Sequence, residues 1–152
     1  MNHTDHNGDH LRNPSQVRLA TTATVHCLAG CGVGEVVGVV IGVSLGLTTV
    51  VTVLLGVVLG FVFGFALGIM PLLRASFSMK WAAKQVLVAE GLSIAVMESA
   101  EVLVQVYTPG VMDAGLSSPL FWAGMLLALT AGFVAAFPVN YILVGKGIKH
   151  HH

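Results

Sequence analysis

The sequence predicts an all-α protein: a bundle of four transmembrane helices, with a glycine-zipper hairpin of helices one and two and both termini cytoplasmic. Three observations lead there. Of 152 residues, 55% are hydrophobic and only 9% are Asp, Glu, Lys or Arg, against about 25% charged in an ordinary soluble domain. From Leu19 to Leu73 there is no Lys, Arg or Asp, and the charge-capable side chains besides Cys are His26 and Glu35. At about 1.5 Å per residue such a stretch exceeds two crossings of a ~30 Å hydrocarbon layer. The third observation is a glycine at every fourth position of both early helices. A soluble enzyme, a disulfide scaffold and a disordered tail are excluded as the main reading. Seven bases balance seven acids without any basic stripe, which also excludes a nucleic-acid binder.

Residues 1–18 are polar, contain His3, His6 and His10, and are too long and too polar for a signal-peptide start. They are expected to form a disordered cytoplasmic arm. The four-helix transmembrane domain then spans 19–145, and 146–152 form a short basic, His-ended tail. Within the domain, the first helix is expected over about Leu19–Leu47 and the second over Thr49–Leu73, joined tightly at Gly46-Leu47-Thr48-Thr49. Arg74 to Lys80 is a polar loop. The third segment runs from about Lys84 to Tyr107 and stops at Thr108-Pro109-Gly110, where proline lacks an amide donor and glycine permits a turn. Ser118-Pro119 suits the start of the fourth, which runs to about Val144.

The third segment carries Glu90, Glu98 and Glu101, each costing on the order of 2.5–3.5 kcal/mol near a helix centre. Charge placement favours its crossing all the same. With four crossings Arg12, Arg18, Arg74, Lys80, Lys84, Lys146 and Lys149 all fall on one side, and the other side keeps only Asp113. Three crossings would strand Lys146 and Lys149 outside, against the positive-inside rule. The localisation that follows is a multi-pass membrane protein with its bases on the cytoplasmic side.

Gly30, Gly34, Gly38, Gly42 and Gly46 repeat every four residues in helix one, as do Gly56, Gly60, Gly64 and Gly68 in helix two. Residues four apart share a helix face, so each helix has a groove where a second backbone can approach closely. The ladders are expected to join helices one and two; docking between protomers is the sharper alternative.

Glu35, Glu90, Glu98 and Glu101 lie at membrane depth with no Lys or Arg to pair with them. Such a carboxyl takes a proton or binds a cation. Glu90, Met97 and Glu101 fall on a narrow stripe of helix three, bordered by Glu98, Gln105 and Ser93. The plainer account is protonated acids hydrogen-bonding other helices; four of them without a base favour a proton or cation pathway. Cys27, Cys31 and Glu35 descend one face of helix one in four-residue steps, with His26 about 100° off that face. Two thiolates one turn apart can share a soft ion, Cu(I) or Zn(II), with His26 as a third ligand and Met70, Met79 or Met97 as thioether donors. Equally, small cysteines pack well beside glycines, and methionines fill core gaps.

The runs His26-Cys27-Leu28-Ala29-Gly30-Cys31 with Gly34-Glu35, Ser93-Ile94-Ala95-Val96-Met97-Glu98, Gly110-Val111-Met112-Asp113-Ala114-Gly115-Leu116 and Phe137-Pro138-Val139-Asn140 carry a resemblance. Over roughly Thr22 to Lys146 the chain resembles an uncharacterised bacterial family of small four-helix integral membrane proteins, a domain of unknown function. The resemblance implies the four-helix fold, a multi-pass place in the bacterial inner (cytoplasmic) membrane and, through relatives associated with multicopper oxidases, copper handling and a copper-oxidase partner. The expected function is binding and translocation of a soft metal ion, Cu(I) favoured, through Cys27, Cys31, His26 and Met97. The alternatives are a proton-coupled small-solute carrier using the glutamates, and a non-catalytic assembly subunit of a membrane oxidoreductase. Copper or zinc is the expected cofactor, no organic cofactor is expected, and no nucleophile–base pair or phosphate loop suggests an enzyme. Beyond the lipid bilayer the expected partner is a second copy of the chain, since four helices are few for a carrier.

Overall fold

The structure, a computed structural model, describes residues 14–145. It is all-helical: α1 (Pro14–Ser44), α2 (Thr49–Arg74), α3 (Met79–Tyr107) and α4 (Pro119–Gly145), with no strand among the described residues. Histidines 3, 6 and 10, Lys146, Lys149 and the C-terminal histidines, on which the expected arm and tail rest, lie outside the described residues.

The first helix starts at Pro14, upstream of the expected Leu19, so the end of the proposed arm is helical. Proline is well placed in a first turn, where its missing donor is not needed. That turn is also anchored, because Gln16 Nε2 donates to the Tyr141 carbonyl of α4 at 3.0 Å. At its other end α1 stops at Ser44, before Gly46. Gly46 has φ +63, its amide donates to the Val43 carbonyl, and the Leu47 amide donates back to Gly42. This is a Schellman closure. Gly46 therefore ends the helix and turns the chain; a Cβ there would meet nothing within 4 Å. The turn between α2 and α3 closes the same way, with Ser76 at φ +67 and the Phe77 amide bonded to the Leu72 carbonyl. Thr48 and Ser78 cap α2 and α3 through their side-chain oxygens.

Helix α1 packs on α2 and α4, α3 packs on the same two, and α1 meets α3 across the middle. The closest approach is between α1 and α2. A Cβ on Gly38 would lie 2.6 Å from the Gly56 Cα, one on Gly30 3.1 Å from the Gly64 Cα, and one on Gly34 would collide with the Leu59 carbonyl. Gly42 meets the buried Thr52. The α2 glycines face a different set of neighbours. Gly60 and Gly64 adjoin Glu98 and Ile94 of α3 as well as Cys31 of α1, and Gly68 adjoins Val86 and Glu90.

Helices α1, α2 and α4 are each long and apolar enough to cross a membrane. In α3 the usual amphipathic order is inverted. Leu87, Val88, Leu92, Leu103 and Val106 are each more than half exposed, whereas Ser93, Glu98, Glu101 and Gln105 are buried. Its polar face looks into the bundle.

Candidate functional site

From the N-terminal end of α1 inward, the core is layered. Asn140 of α4 donates to Thr24 Oγ1 at 2.9 Å, both side chains fully buried. Next come Cys27 and Cys31, whose sulfurs lie 3.9 Å apart and which cluster with Ile94, Met97 and Ala136. Below them sit three carboxyls: Glu35 from α1, and Glu98 and Glu101 from α3. One oxygen of each lies within 4.8 Å of the others, and all three residues are buried. Val39, Phe121 and Met125 close the core beyond Glu35.

Local sequence explains why the acids meet. Glu98 and Glu101 are three apart, one turn of a single face. Glu35 faces them because the glycines of α1 seat that helix tightly on α2. Space for the carboxyl heads comes from glycines on the two flanking helices. A Cβ on Gly60 of α2 would collide with Glu98 Oε1, and one on Gly132 of α4 would lie 2.7 Å from the Glu101 Cγ. Gln105, one turn beyond Glu101, donates its Nε2 to Glu35 Oε1.

Glu35 and Glu101 also share a carboxyl–carboxyl hydrogen bond. Beyond these contacts no other described residue donates to Glu35 Oε2 or to either oxygen of Glu98 or Glu101, although each is buried. No Lys, Arg or His comes from α2 before Arg74 or from α4. Three adjacent carboxylates in low dielectric cannot all remain ionised without compensation. Only protons or a cation can supply the missing charge and the missing donors.

The remaining sequence candidates divide. Cys27, Cys31 and Met97 come together in one buried cluster directly over the acids. His26 points outward and is exposed, so it does not join the sulfurs; Met70 and Met79 are also exposed. Glu90 is half-buried beside Gly68, one layer away from the three-carboxyl cluster.

This inward-facing arrangement accompanies a family match over residues 17–149, to the domain of unknown function DUF4396. The chain belongs to that family. No curated protein and no solved structure matches it. Among the residues of this DUF4396 site, Gly132, Thr24 and Asn140 were not among the sequence-derived site residues. A glycine in mid-helix and a polar pair in apolar segments were the available signals, but one sequence does not say that Gly132 faces Glu101 or that Asn140 faces Thr24.

Proposed function

We propose that this protein is a four-span membrane protein of the bacterial cytoplasmic membrane that binds protons and cations inside its helix bundle and carries them across it. One observation carries the reading: three buried carboxyls within 4.8 Å of one another, with no base beside them among the described residues. An acid cluster at this depth is costly unless it is used. The reading makes α3 a fourth crossing. Support comes from its apolar outer face and from the short links that set it between α2 and α4. Aromatic residues at the helix ends agree. Phe77 and Trp81 stack at the α2–α3 turn, while Trp122 donates to the Leu116 carbonyl at the opposite end, as suits an interfacial belt. Both termini then share the cytoplasmic side with Arg18, Arg74, Lys80 and Lys84, and Asp113 lies outside. The role is non-catalytic, and a homo-oligomer supplies the wider framework a carrier needs.

Infrared spectroscopy tests this on protein in lipid nanodiscs. The carbonyl stretch of protonated carboxyls should titrate with pH and lose intensity in Glu98→Gln and Glu101→Gln. A spectrum unchanged by both substitutions, in variants that still fold, defeats the reading.

The 3.9 Å sulfur pair with buried Met97 beside it favours a second reading, a soft-metal carrier for Cu(I). Two Zn–S or Cu–S bonds of about 2.3 Å place sulfurs roughly that far apart. Under this reading a copper-oxidase partner receives or donates the ion. Stoichiometric copper in the purified protein, lost in Cys27→Ser/Cys31→Ser, supports it; copper-free protein after growth with copper removes it.

A further inference from the structure

We propose that Glu35, Glu98 and Glu101 form an occluded site for one oxygen-preferring divalent cation, loaded in exchange for two protons. The inference rests on the first reading above and specifies its cargo and stoichiometry.

Geometry comes first. The three carboxyl oxygens lie within 4.8 Å of one another. Two metal–oxygen bonds of about 2.1 Å for Mg²⁺ to about 2.6 Å for Ca²⁺ span a similar distance, so one ion reaches all three with little helix movement. All the donors at this level are oxygen, the set that suits Mg²⁺, Ca²⁺ or Mn²⁺ and not a soft ion. The sulfurs belong to the layer above.

The orphaned oxygens are a separate observation. Glu98 is 3% exposed and neither of its carboxyl oxygens has a hydrogen-bond partner, while Glu101, 0% exposed, is partnered among the described residues by the neighbouring Glu35 carboxyl alone. Buried polar atoms in folded proteins are nearly always paired. Here the side chains turn inward to one another instead. Gly60 and Gly132 keep open the room that their carboxyl heads need.

Charge then sets the stoichiometry. A fully protonated cluster is neutral. One divalent ion with all three carboxyls ionised leaves one negative charge; with one proton retained, the cluster is neutral again. Net charge at this depth is costly, so exchange of one ion for two protons is the balanced step, and both protons leave to water. No surrounding element upsets this count. Cys27 and Cys31 of α1 are close enough to feel the acids' charge, and Glu90 of α3 lies beside Gly68. Between Thr49 and Leu73 and between Pro119 and Gly145, α2 and α4 carry no Asp, Glu, His, Lys or Arg.

The test uses the full chain in lipid nanodiscs, in weak buffer with a pH dye. Mn²⁺, Ca²⁺ and Mg²⁺ are added separately, and bound metal and released protons are measured together. Saturable binding of at least one of these ions is expected, one per chain, with about two protons released per ion and affinity rising about 100-fold per pH unit. Glu98→Gln and Glu101→Gln each replace an anionic ligand by a weaker neutral one and should weaken binding at least tenfold, and Cys27→Ser/Cys31→Ser should leave binding and proton release unchanged. Should the Gln variants fail to fold, Glu98→Asp keeps the carboxylate but shortens its reach, and should weaken binding at least tenfold. No saturable binding of any of the three ions overturns the proposal. So does release of one proton or none, or binding that follows the cysteines and is unweakened by Glu98→Gln. A cluster that titrates by infrared but binds no divalent ion leaves the first reading standing while this inference falls.

Discussion

A Cβ on Gly132 of α4 would lie 2.7 Å from Cγ and 2.8 Å from Cδ of Glu101 on α3. The carboxyl thus rests in a notch in the facing helix, and the notch exists because residue 132 has no side chain. Gly132→Ala should therefore destabilise the protein by roughly 1–3 kcal/mol, the usual cost of overfilling a tight site. Gly91→Ala is the control: its Cβ would meet the Leu87 Cδ1 at an ordinary 3.5 Å. That change should be neutral or mildly stabilising, since alanine is favoured over glycine in a helix by up to ~1 kcal/mol. Melting curves in detergent decide; equal losses in both would show that the notch does not matter.

The tightest backbone approach gives a second expectation. Gly38→Leu forces a side chain into a space where a Cβ would already be 2.6 Å from the Gly56 Cα. Leu54→Ala trims a side chain that is 57% exposed. The first should prevent assembly or lower the melting temperature strongly, and the second should do little. A Gly38→Leu protein that melts like the parent would mean that the glycines do not hold α1 against α2.

Ser76 offers a change in the other direction. It holds φ +67 at the end of α2, a conformation that costs a non-glycine residue roughly 1–2 kcal/mol. Ser76→Gly should stabilise the fold by about 1 kcal/mol, less a little for the added freedom of the unfolded chain. Chemical denaturation of the two proteins side by side measures it, and a loss of stability would show that the serine side chain compensates for its backbone.

Topology is checked by reporter fusions. A fusion at residue 113 and one at the C-terminus should report opposite sides of the membrane, because α4 separates them and the basic residues of the α2–α3 turn stay inside. Equal signals would remove α4 as a crossing. A second pair, at Ser76 and residue 113, should also differ; equal signals there would lay α3 on the surface.

Much of this arrangement was legible in the sequence. Pro109, Gly110, Ser118 and Pro119 mark where α3 ends and α4 begins, because their backbone demands are local. Glu98 and Glu101 are legible as one face, since helical periodicity is fixed. Glu35 stands a turn below Cys31 for the same reason. What the sequence leaves open is which faces meet. Glu90 shares the stripe of Glu101 by angle, yet eleven residues of rise carry it to another layer beside Gly68. Gly46 continues the four-residue spacing of Gly42, but its positive φ takes it out of the helix. His26 is one residue from Cys27 yet is exposed, because neighbours in a helix are turned about 100° from one another.

The inverted face of α3 also bears on how the protein comes into being. A segment that carries three acids is a poor candidate for insertion by itself. By the time it emerges from the ribosome, α1 and α2 have been made, and they already offer Glu35 on one side and the Gly60 recess on the other. Half of a receptor for α3 thus precedes it. The other half, with Gly132, arrives only when α4 is synthesised after it, so the chamber that houses the acids is complete only once α4 has been made.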